Sequence, residues 1–220
     1  MKSLFPSNHK AGLLVDCCYH DVSNYLTKWL ASVLPNKRVN IAHYKGTKEV
    51  YFNILDTTRL FTPNTIVLTK YDSFRCVYYD NHLHQYEPQS DNSKICESLR
   101  VNTCYLHYDH ISQSPFYQSA IFSRYWHDGK KVNHRYVSSV KDKSWQFTQS
   151  GSSLPFECTD RYSLRLKKDR LTCDMLVEYA RSIGYDLAML SELSEYYIIR
   201  IETGANQMHN IPHGTSVLVQ

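Results

Sequence analysis

The chain has no uninterrupted apolar run of about 18 residues, the length at which a helix could cross a membrane. Near the N-terminus, the polar residues Asn8, His9 and Lys10 come before any apolar run develops, and this order does not fit a secretory signal peptide. The seven cysteines are an odd number and include no C-x-x-C pair, which does not fit a disulfide framework. We therefore expect a soluble, intracellular (cytoplasmic) protein with reduced thiols and no contact with a membrane.

Glycine is scarce, at 7 of 220 residues, and no glycine-rich run stands between a predicted strand and a predicted helix. The P-loop and the dinucleotide-binding turn both need such a run, because backbone N–H groups must approach phosphate closely there. The acidic residues are scattered along the chain and form no paired-carboxylate motif. Nothing in the sequence selects ATP, NAD or a flavin, and we expect no cofactor.

The chain is rich in apolar and aromatic residues. A hydrophobic content of 42% with 21% charged residues is ordinary for a packed globular protein. The 18 tyrosines raise the aromatic content to 13%, which favours half-buried strands. We predict an α+β fold in which short strands form a predominantly antiparallel sheet or sheets, with two main amphipathic helices packed on it.

The two helices are predicted from apolar periodicity and end signals. Apolar residues at the i, i+3, i+4 and i+7 positions predict a helix over 21–34 that ends before Pro35. A second helix is predicted over 172–183, because Thr172 can cap its N-terminus and Gly184 can close its C-terminus.

Period-two patterns predict the strands. Two hairpins, 39–44 with 49–55 and 74–79 with 82–86, and a strand at 65–70 are predicted to form one antiparallel meander. Further strands are predicted at 101–108, 120–126, 131–140, 145–149, 162–166 and 196–202.

The polar stretch 87–94, with Pro and Ser, is typical of a linker or a long loop. It separates a possible subdomain at 1–90, a helix with the strand meander, from a β-rich basic region with a C-terminal helix and strand at 95–220. A single domain is the alternative.

Positive charge and aromatic rings are concentrated between Ile121 and Arg170. This block has eleven Lys and Arg against five Asp and Glu, a net charge of +6, whereas the whole chain carries +4, so the remainder sums to −2. Such a composition is typical of a surface that meets phosphates and stacks on bases. Alternatively, the charges occupy solvated strand faces and edges while the rings alternate into the core. The candidate nucleic-acid-binding residues are Arg124, Trp126, Lys130, Lys131, Arg135, Tyr136, Arg165, Lys167 and Lys168.

Cys17 and Cys18 precede the first predicted helix, where unpaired N–H groups and the helix dipole favour a thiolate. Thiol hydrolases of the papain-like kind place their nucleophile at such a position, with a distant histidine and a polar orienting group. Cys17 or Cys18 is therefore a candidate catalytic nucleophile. The alternative is a core position, because unpaired cysteine is often buried.

Histidines offer two further hypotheses. His82 and His84 point to one face of a predicted strand, as metal-dependent nicking and replication-initiator nucleases require, but an exposed hairpin face explains the same spacing and we predict no metal site. His110 and His213 each begin a His-x-Ser/Thr motif, which fits two-histidine phosphoesterases loosely.

From these observations we expect an accessory protein that binds without catalysis, with nucleic acid (RNA or DNA) or a host-type protein as its partner. The thiol hydrolase and the His-metal nuclease are the competing functions. The C-terminal residues 217–220 place Gln after three apolar residues, which is what a chymotrypsin-like viral cysteine protease leaves, and this hints at a virus or mobile element as the origin.

Overall fold

The computed structural model describes residues 4–5, 11–46, 65–80, 89–109 and 117–202. No helix within these ranges is long and apolar enough to cross a membrane. The elements are β1 (Ala11–Val15), α1 (Tyr19–Val33), β2 (Arg38–Lys45), β3 (Thr65–Lys70), β4 (Cys76–Asp80), α2 (Gln89–Leu99), β5 (Thr103–Asp109), β6 (Tyr117–His127), β7 (Val132–Asp142), β8 (Ser144–Ser150), α3 (Cys173–Ser182) and β9 (Glu195–Glu202), with short 3₁₀ turns at Thr159–Ser163, Lys167–Asp169 and Leu187–Glu192.

By its contacts the chain divides into two compact units, and each unit is assembled from separate segments. Unit 1 contains residues 1–15 and 87–190, and unit 2 contains residues 16–86 and 191–220. The boundary predicted near residue 90 stays a prediction.

Unit 1 is built on an antiparallel sheet with the strand order β1-β5-β6-β7-β8. The β6–β7 hairpin closes at Asp128 and Gly129, where Gly129 has a φ of 90°. Since side chains alternate along a strand, the register of this hairpin decides which residues share a face. The pair Phe122 and Val137 lies on one face, and the pair Tyr125 and His134 lies on the other.

Both faces of the unit 1 sheet are covered. Helix α2 contacts β5 and β6, and the buried Asn92 donates a hydrogen bond of 3.1 Å from its amide nitrogen to the carbonyl of Ser123. On the Phe122 face, the ring of Tyr179 from α3 lies 5.2 Å from the Phe122 ring, centroid to centroid. Helix α3 begins after Thr172, whose Oγ1 accepts from the backbone N–H of Met175 at 3.4 Å.

Unit 2 has an antiparallel sheet with the strand order β2-β9-β3-β4. Helix α1 contacts β2, β3 and β9, and its buried stripe includes Val22, Leu26 and Leu30. Strand β9 lies between β2 and β3, and the adjacent residues Ile198 and Ile199 are both buried. Burial of successive residues is typical of a central strand covered on both faces.

The mixed fold of helices and antiparallel strands is confirmed, and several details differ from the sequence prediction. Three α-helices are described, so the prediction of two main amphipathic helices is not confirmed. The predicted linker at 87–94 is wrong, because α2 begins within it. Asp91 lies in the first turn of this helix, where a carboxylate is favoured, and Ile95 and Cys96 are fully buried.

Two strand predictions also need correction. The strand predicted at 162–166 is wrong, because residues 159–163 form a 3₁₀ turn. Tyr162 is buried there, and its hydroxyl contacts Glu157 and Tyr179. In the predicted meander, β2 does not continue to β3, because β9 lies between them. The predicted strands 49–55 and 82–86 lie outside the described residues.

Candidate functional site

Arg135 was predicted to belong to an exposed nucleic-acid surface, and this prediction is wrong. Its side chain is 1% exposed and is paired with Glu157, which is 0% exposed, with 2.6 Å between Nη2 and Oε2. The same guanidinium donates to the carbonyls of Ser150 and Gly151 and to Oε1 of Gln149. Because a buried charge is tolerated only when it is paired and hydrogen-bonded, this is a structural network.

The Glu157 carboxylate is satisfied by further donors. It accepts from the backbone N–H of Leu154 at 2.8 Å and from the Tyr162 hydroxyl at 2.9 Å. The Tyr162 and Tyr179 hydroxyl oxygens lie 2.9 Å apart, and burial, followed by this hydrogen bond, raises the pKa of Tyr162 far above its usual value. The network therefore joins β7 to the 3₁₀ turn and to α3.

The predicted rings do not share a face. Trp126 pairs with Asn133 and Tyr136 pairs with Ser123, so the register of β6 and β7 places Trp126 and Tyr136 on opposite faces of the unit 1 sheet. Arg124 is on the Trp126 face, and its guanidinium lies 6.0 Å from the centroid of the Phe156 ring. The nine predicted residues therefore do not form one surface.

The lysines predicted to bind nucleic acid fall into two groups. Lys130 and Lys131 are in the β6–β7 turn, where their backbone N–H groups both donate to Asp128. Lys167 lies beside Ser139 of β7, since its carbonyl accepts from the Ser139 hydroxyl at 2.7 Å. Ser139 is eight residues along β7 from Lys131, and a strand rises ~3.3 Å per residue, so the two groups are roughly 26 Å apart.

We call residues 160–170 the basic segment. It contains five Lys and Arg against two Asp, and four of the five cations are exposed. Its path is fixed by hydrogen bonds: Arg170 Nε donates to the Leu164 carbonyl at 2.7 Å, and the Asp169 N–H donates to the Leu166 carbonyl at 3.0 Å. The exposed cations are Arg161, Arg165, Lys167 and Lys168.

Residues of β7 and β8 flank the basic segment. Lys141 pairs with Trp145, and Ser139 pairs with Phe147, so all four side chains share one face. The Arg170 guanidinium lies 5.3 Å from the centroid of the Phe147 ring. Lys141 and Trp145 were not predicted as site residues, because only the register of β8 places them on the face of Phe147, which Arg170 contacts.

The thiols Cys17 and Cys18 lie where they were predicted, since Cys18 is the N-cap residue of α1. Burial, with Asp21 as the next cause, raises the pKa of Cys17 to about 11, which favours the uncharged thiol instead of a nucleophilic thiolate. None of the seven cysteines, all of which the structure describes, is in a disulfide. The thiol hydrolase stays an untested hypothesis.

The predicted metal pair His82 and His84 lies outside the described residues, and so do His110 and His213. Within the described ranges, no group of three or more His, Cys, Asp and Glu side chains could hold a metal ion.

Unit 2 contains an arrangement that the sequence analysis did not predict. Strand alternation places Lys45, Glu195 and Lys70 in a row across β2, β9 and β3. The next pair on the same face is His43 and Tyr197. The N-terminus of α1 adds Tyr19 and His20 to this face, so that four rings come together with centroid separations of 4.2–6.0 Å. We call Tyr19, His20, His43 and Tyr197 the ring cluster.

Glu195 is the centre of the charged row. Its carboxylate accepts from Nζ of Lys70 at 3.0 Å and from the Tyr19 hydroxyl, and it lies 3.3 Å from Nε2 of His43. Burial alone would raise the pKa of Glu195, but hydrogen bonds from Tyr19, Lys70 and Lys45 hold it at about 2. This carboxylate is therefore ionised at neutral pH.

The rings of the cluster are also perturbed. Burial, followed by the hydrogen bond to Glu195, raises the pKa of Tyr19 well above its usual value. Burial lowers the pKa of His43, although Glu195 opposes the shift. His20 is exposed, and its Nδ1 lies 2.6 Å from the Tyr197 hydroxyl oxygen. Perturbed titratable groups that lie close together are a feature of functional sites as well as of structural ion pairs.

No short-range sequence signal identifies this cluster. His43 is in the strand predicted at 39–44, Lys45 follows that strand, and Tyr197 is in another predicted strand. The pairing of β2 with β9 joins residues about 150 positions apart. Comparison of the chain with protein-family models, with curated proteins and with solved structures finds no match.

Proposed function

We propose that the protein binds single-stranded nucleic acid through the basic segment of unit 1. The observation that carries this proposal is the concentration of four exposed cations, Arg161, Arg165, Lys167 and Lys168, on eight successive residues whose backbone is held in place. Cations presented at fixed positions can neutralise successive phosphates and release condensed counterions.

Apolar side chains in and beside the basic segment favour a single strand over a duplex. Leu164 is 39% exposed and Leu166 is 55% exposed, so apolar surface lies between the cations. Trp145 of β8 is half-buried and offers a ring at the same end of the sheet. Unpaired bases can contact such groups, whereas the bases of a duplex are stacked inside it.

The test compares two double variants that each remove two adjacent lysines. Lys167→Ala with Lys168→Ala changes the basic segment, and Lys130→Ala with Lys131→Ala changes the distant β6–β7 turn. Binding of a labelled single-stranded 20-mer RNA and of its DNA counterpart would be followed by fluorescence anisotropy at low salt. We expect the first variant to bind at least about tenfold more weakly, since loss of two phosphate contacts costs roughly this much, and the second to bind as the wild type does.

Equal weakening by both variants would contradict the assignment of binding to the basic segment. Absence of binding by the wild-type protein at low salt would contradict nucleic acid as the partner. A circular dichroism spectrum of each variant that matches the wild type shows that the fold is kept.

A further inference from the structure

The two imidazoles of the ring cluster have different hydrogen bonds. Nε2 of His43 lies 3.3 Å from Glu195 and 3.2 Å from the Tyr19 hydroxyl. No described residue hydrogen-bonds Nδ1 of His43. His20 holds Tyr197 through Nδ1, and within the described part of the chain its Nε2 has no hydrogen-bond partner. Among the described residues, each imidazole therefore has one nitrogen in contact with a protein group and a second nitrogen that can meet a substrate.

The fixed nitrogen of His43 sets its chemical role. A carboxylate that accepts from Nε2–H leaves the lone pair on Nδ1, which is the arrangement of a general base oriented by a third group. The ring centroids of His20 and His43 are 6.0 Å apart, with the Tyr197 ring 5.4 Å from one and 4.7 Å from the other. A base and an acid can thus reach two oxygens of one small group.

The charge at the cluster favours an anion. Leaving the imidazoles aside, Lys45 and Lys70 contribute two positive charges and Glu195 contributes one negative charge, so the row carries +1. Lys70 is 37% exposed and Lys45 is 72% exposed, so both ammonium groups can meet a ligand from solvent. Fixed positive charge beside an acid–base pair stabilises the charge that develops on a phosphate in a displacement reaction.

We propose that the ring cluster is an acid–base site that cleaves RNA by transferring a phosphodiester to the adjacent ribose 2′-oxygen. Nδ1 of His43 takes the proton of the 2′-hydroxyl, and the oxygen lone pair forms the new bond to phosphorus. The bond from phosphorus to the 5′-oxygen breaks, its electron pair stays on that oxygen, and the imidazolium form of His20 donates a proton to it from Nε2 and becomes neutral. The products are a 2′,3′-cyclic phosphate and a 5′-hydroxyl, and no water, metal or cofactor is consumed.

RNA is the substrate class because it supplies its own nucleophile. The hydroxyls that contact the two imidazoles are phenols, those of Tyr19 and Tyr197, and burial raises the pKa of both. A phenol kept protonated donates hydrogen bonds and is a poor nucleophile. A ribose 2′-hydroxyl fills that role, so DNA is not a substrate.

This inference goes beyond the proposed function and does not depend on it, because no residue of the basic segment takes part. The experiment uses a DNA oligonucleotide that contains one ribonucleotide between a fluorophore and a quencher, incubated with the full-length protein in EDTA. We expect cleavage at the ribonucleotide and a 2′,3′-cyclic phosphate by mass spectrometry. The same oligonucleotide with a 2′-O-methyl group at that position should stay intact.

Two substitutions assign the cleavage to the cluster. General acid–base catalysis contributes about 10²–10⁴-fold, so His20→Ala and His43→Ala should each lower the rate by about 10²-fold or more. His127→Ala, which removes a histidine from unit 1, is the matched control and should keep the wild-type rate. Since His20 is exposed, its removal leaves the core unchanged, and His20→Ala keeps the test decisive if His43→Ala fails to fold.

The pH dependence separates the two roles. The groups that face the imidazoles are Tyr19, Tyr197, Glu195, Lys45 and Lys70, with Cys18 beside the tyrosines. Because one imidazole must accept a proton and the other must donate one, the wild-type rate should fall at both low and high pH. Absence of cleavage above the protein-free blank would overturn the proposal, and so would cleavage that survives in both His20→Ala and His43→Ala at the wild-type rate.

Discussion

Gly151 combines a positive φ with a close backbone contact. Its φ is +76°, and a Cβ atom placed on it would lie 2.1 Å from the His134 carbonyl oxygen. Gly129 has a similar φ of +90°, but nothing lies within 4 Å of its Cβ position. A substitution at Gly129 therefore introduces backbone strain alone, whereas one at Gly151 introduces strain and steric overlap.

We predict that Gly129→Ala lowers the free energy of unfolding by about 1–2 kcal/mol, the cost of a side chain in the left-handed region. Gly151→Ala should cost more, because the His134 backbone must also move and Arg135 hydrogen-bonds the Gly151 carbonyl. Urea unfolding of both variants measures the difference. Equal losses of stability would contradict the close contact at Gly151.

A second prediction concerns the buried ion pair of Arg135 and Glu157. Arg135→Met leaves a buried carboxylate without its cation, so the free energy of unfolding should fall by about 3–5 kcal/mol. Glu157→Gln should also destabilise the protein, since it leaves the guanidinium without a charged partner. The double variant should lose at least about 1 kcal/mol less than the sum of the two single losses, because the residues share one network. Strict additivity in this double-mutant cycle would show that the pair is not coupled.

Helix α3 shows how a local element follows from its own sequence. Thr172 accepts the Met175 N–H, and Gly184 has the positive φ of 93° that closes many helices. Thr172→Ala should lower the free energy of unfolding by about 0.5–2 kcal/mol, whereas Thr172→Ser should keep most of the stability because the hydroxyl remains. Thermal or urea unfolding of the two variants checks this, and a stable Thr172→Ala protein would mean that the cap contributes nothing.

The elements that sequence reasoning found are those with local signals. Helix α3 has a cap and a closing glycine, and the β6–β7 hairpin has the Asp128-Gly129 turn, so both could be predicted from adjacent residues. Helix α2 was not predicted because it has few apolar positions. Asn92 is a residue type typical of loops, and its burial depends on the hydrogen bond that its amide donates to the Ser123 carbonyl.

The candidate sites needed long-range pairing. Residues 162–166 show the period-two alternation of a strand, although they do not form one. The Tyr162 hydroxyl instead contacts Glu157 and Tyr179, and such contacts cannot be derived from spacing. In the same way, Glu195 meets Lys45 and Lys70 only because β9 lies between β2 and β3. The burial of Arg135 likewise depends on a partner 22 residues away.

The acid stability of the whole molecule should depend on Glu195. Its pKa is about 2 in the folded chain and has an ordinary value of 4.5, so the folded state is favoured above pH 4.5 and this contribution is lost as the pH falls towards 2. Glu195→Gln should lower the free energy of unfolding at pH 7 by up to about 3 kcal/mol and flatten its decrease between pH 4.5 and 2. Urea titrations at pH 7, 4 and 3 measure this. An unchanged acid dependence in Glu195→Gln would contradict the role of the charged row.

Partner binding is also a property of the whole molecule, and its salt dependence tests the central claim most directly. The measurement is the slope of log K against log salt concentration for single-stranded RNA, for the wild type and for Lys167→Ala with Lys168→Ala. Each phosphate contact contributes about 0.7 to the slope on a single strand, so the loss of two contacts should make it shallower by about 1.4. If the basic segment binds RNA, the wild type should show a steep slope and the double variant a slope shallower by about 1.4. A wild-type affinity that does not change with salt, or an unchanged slope in the variant, would contradict it.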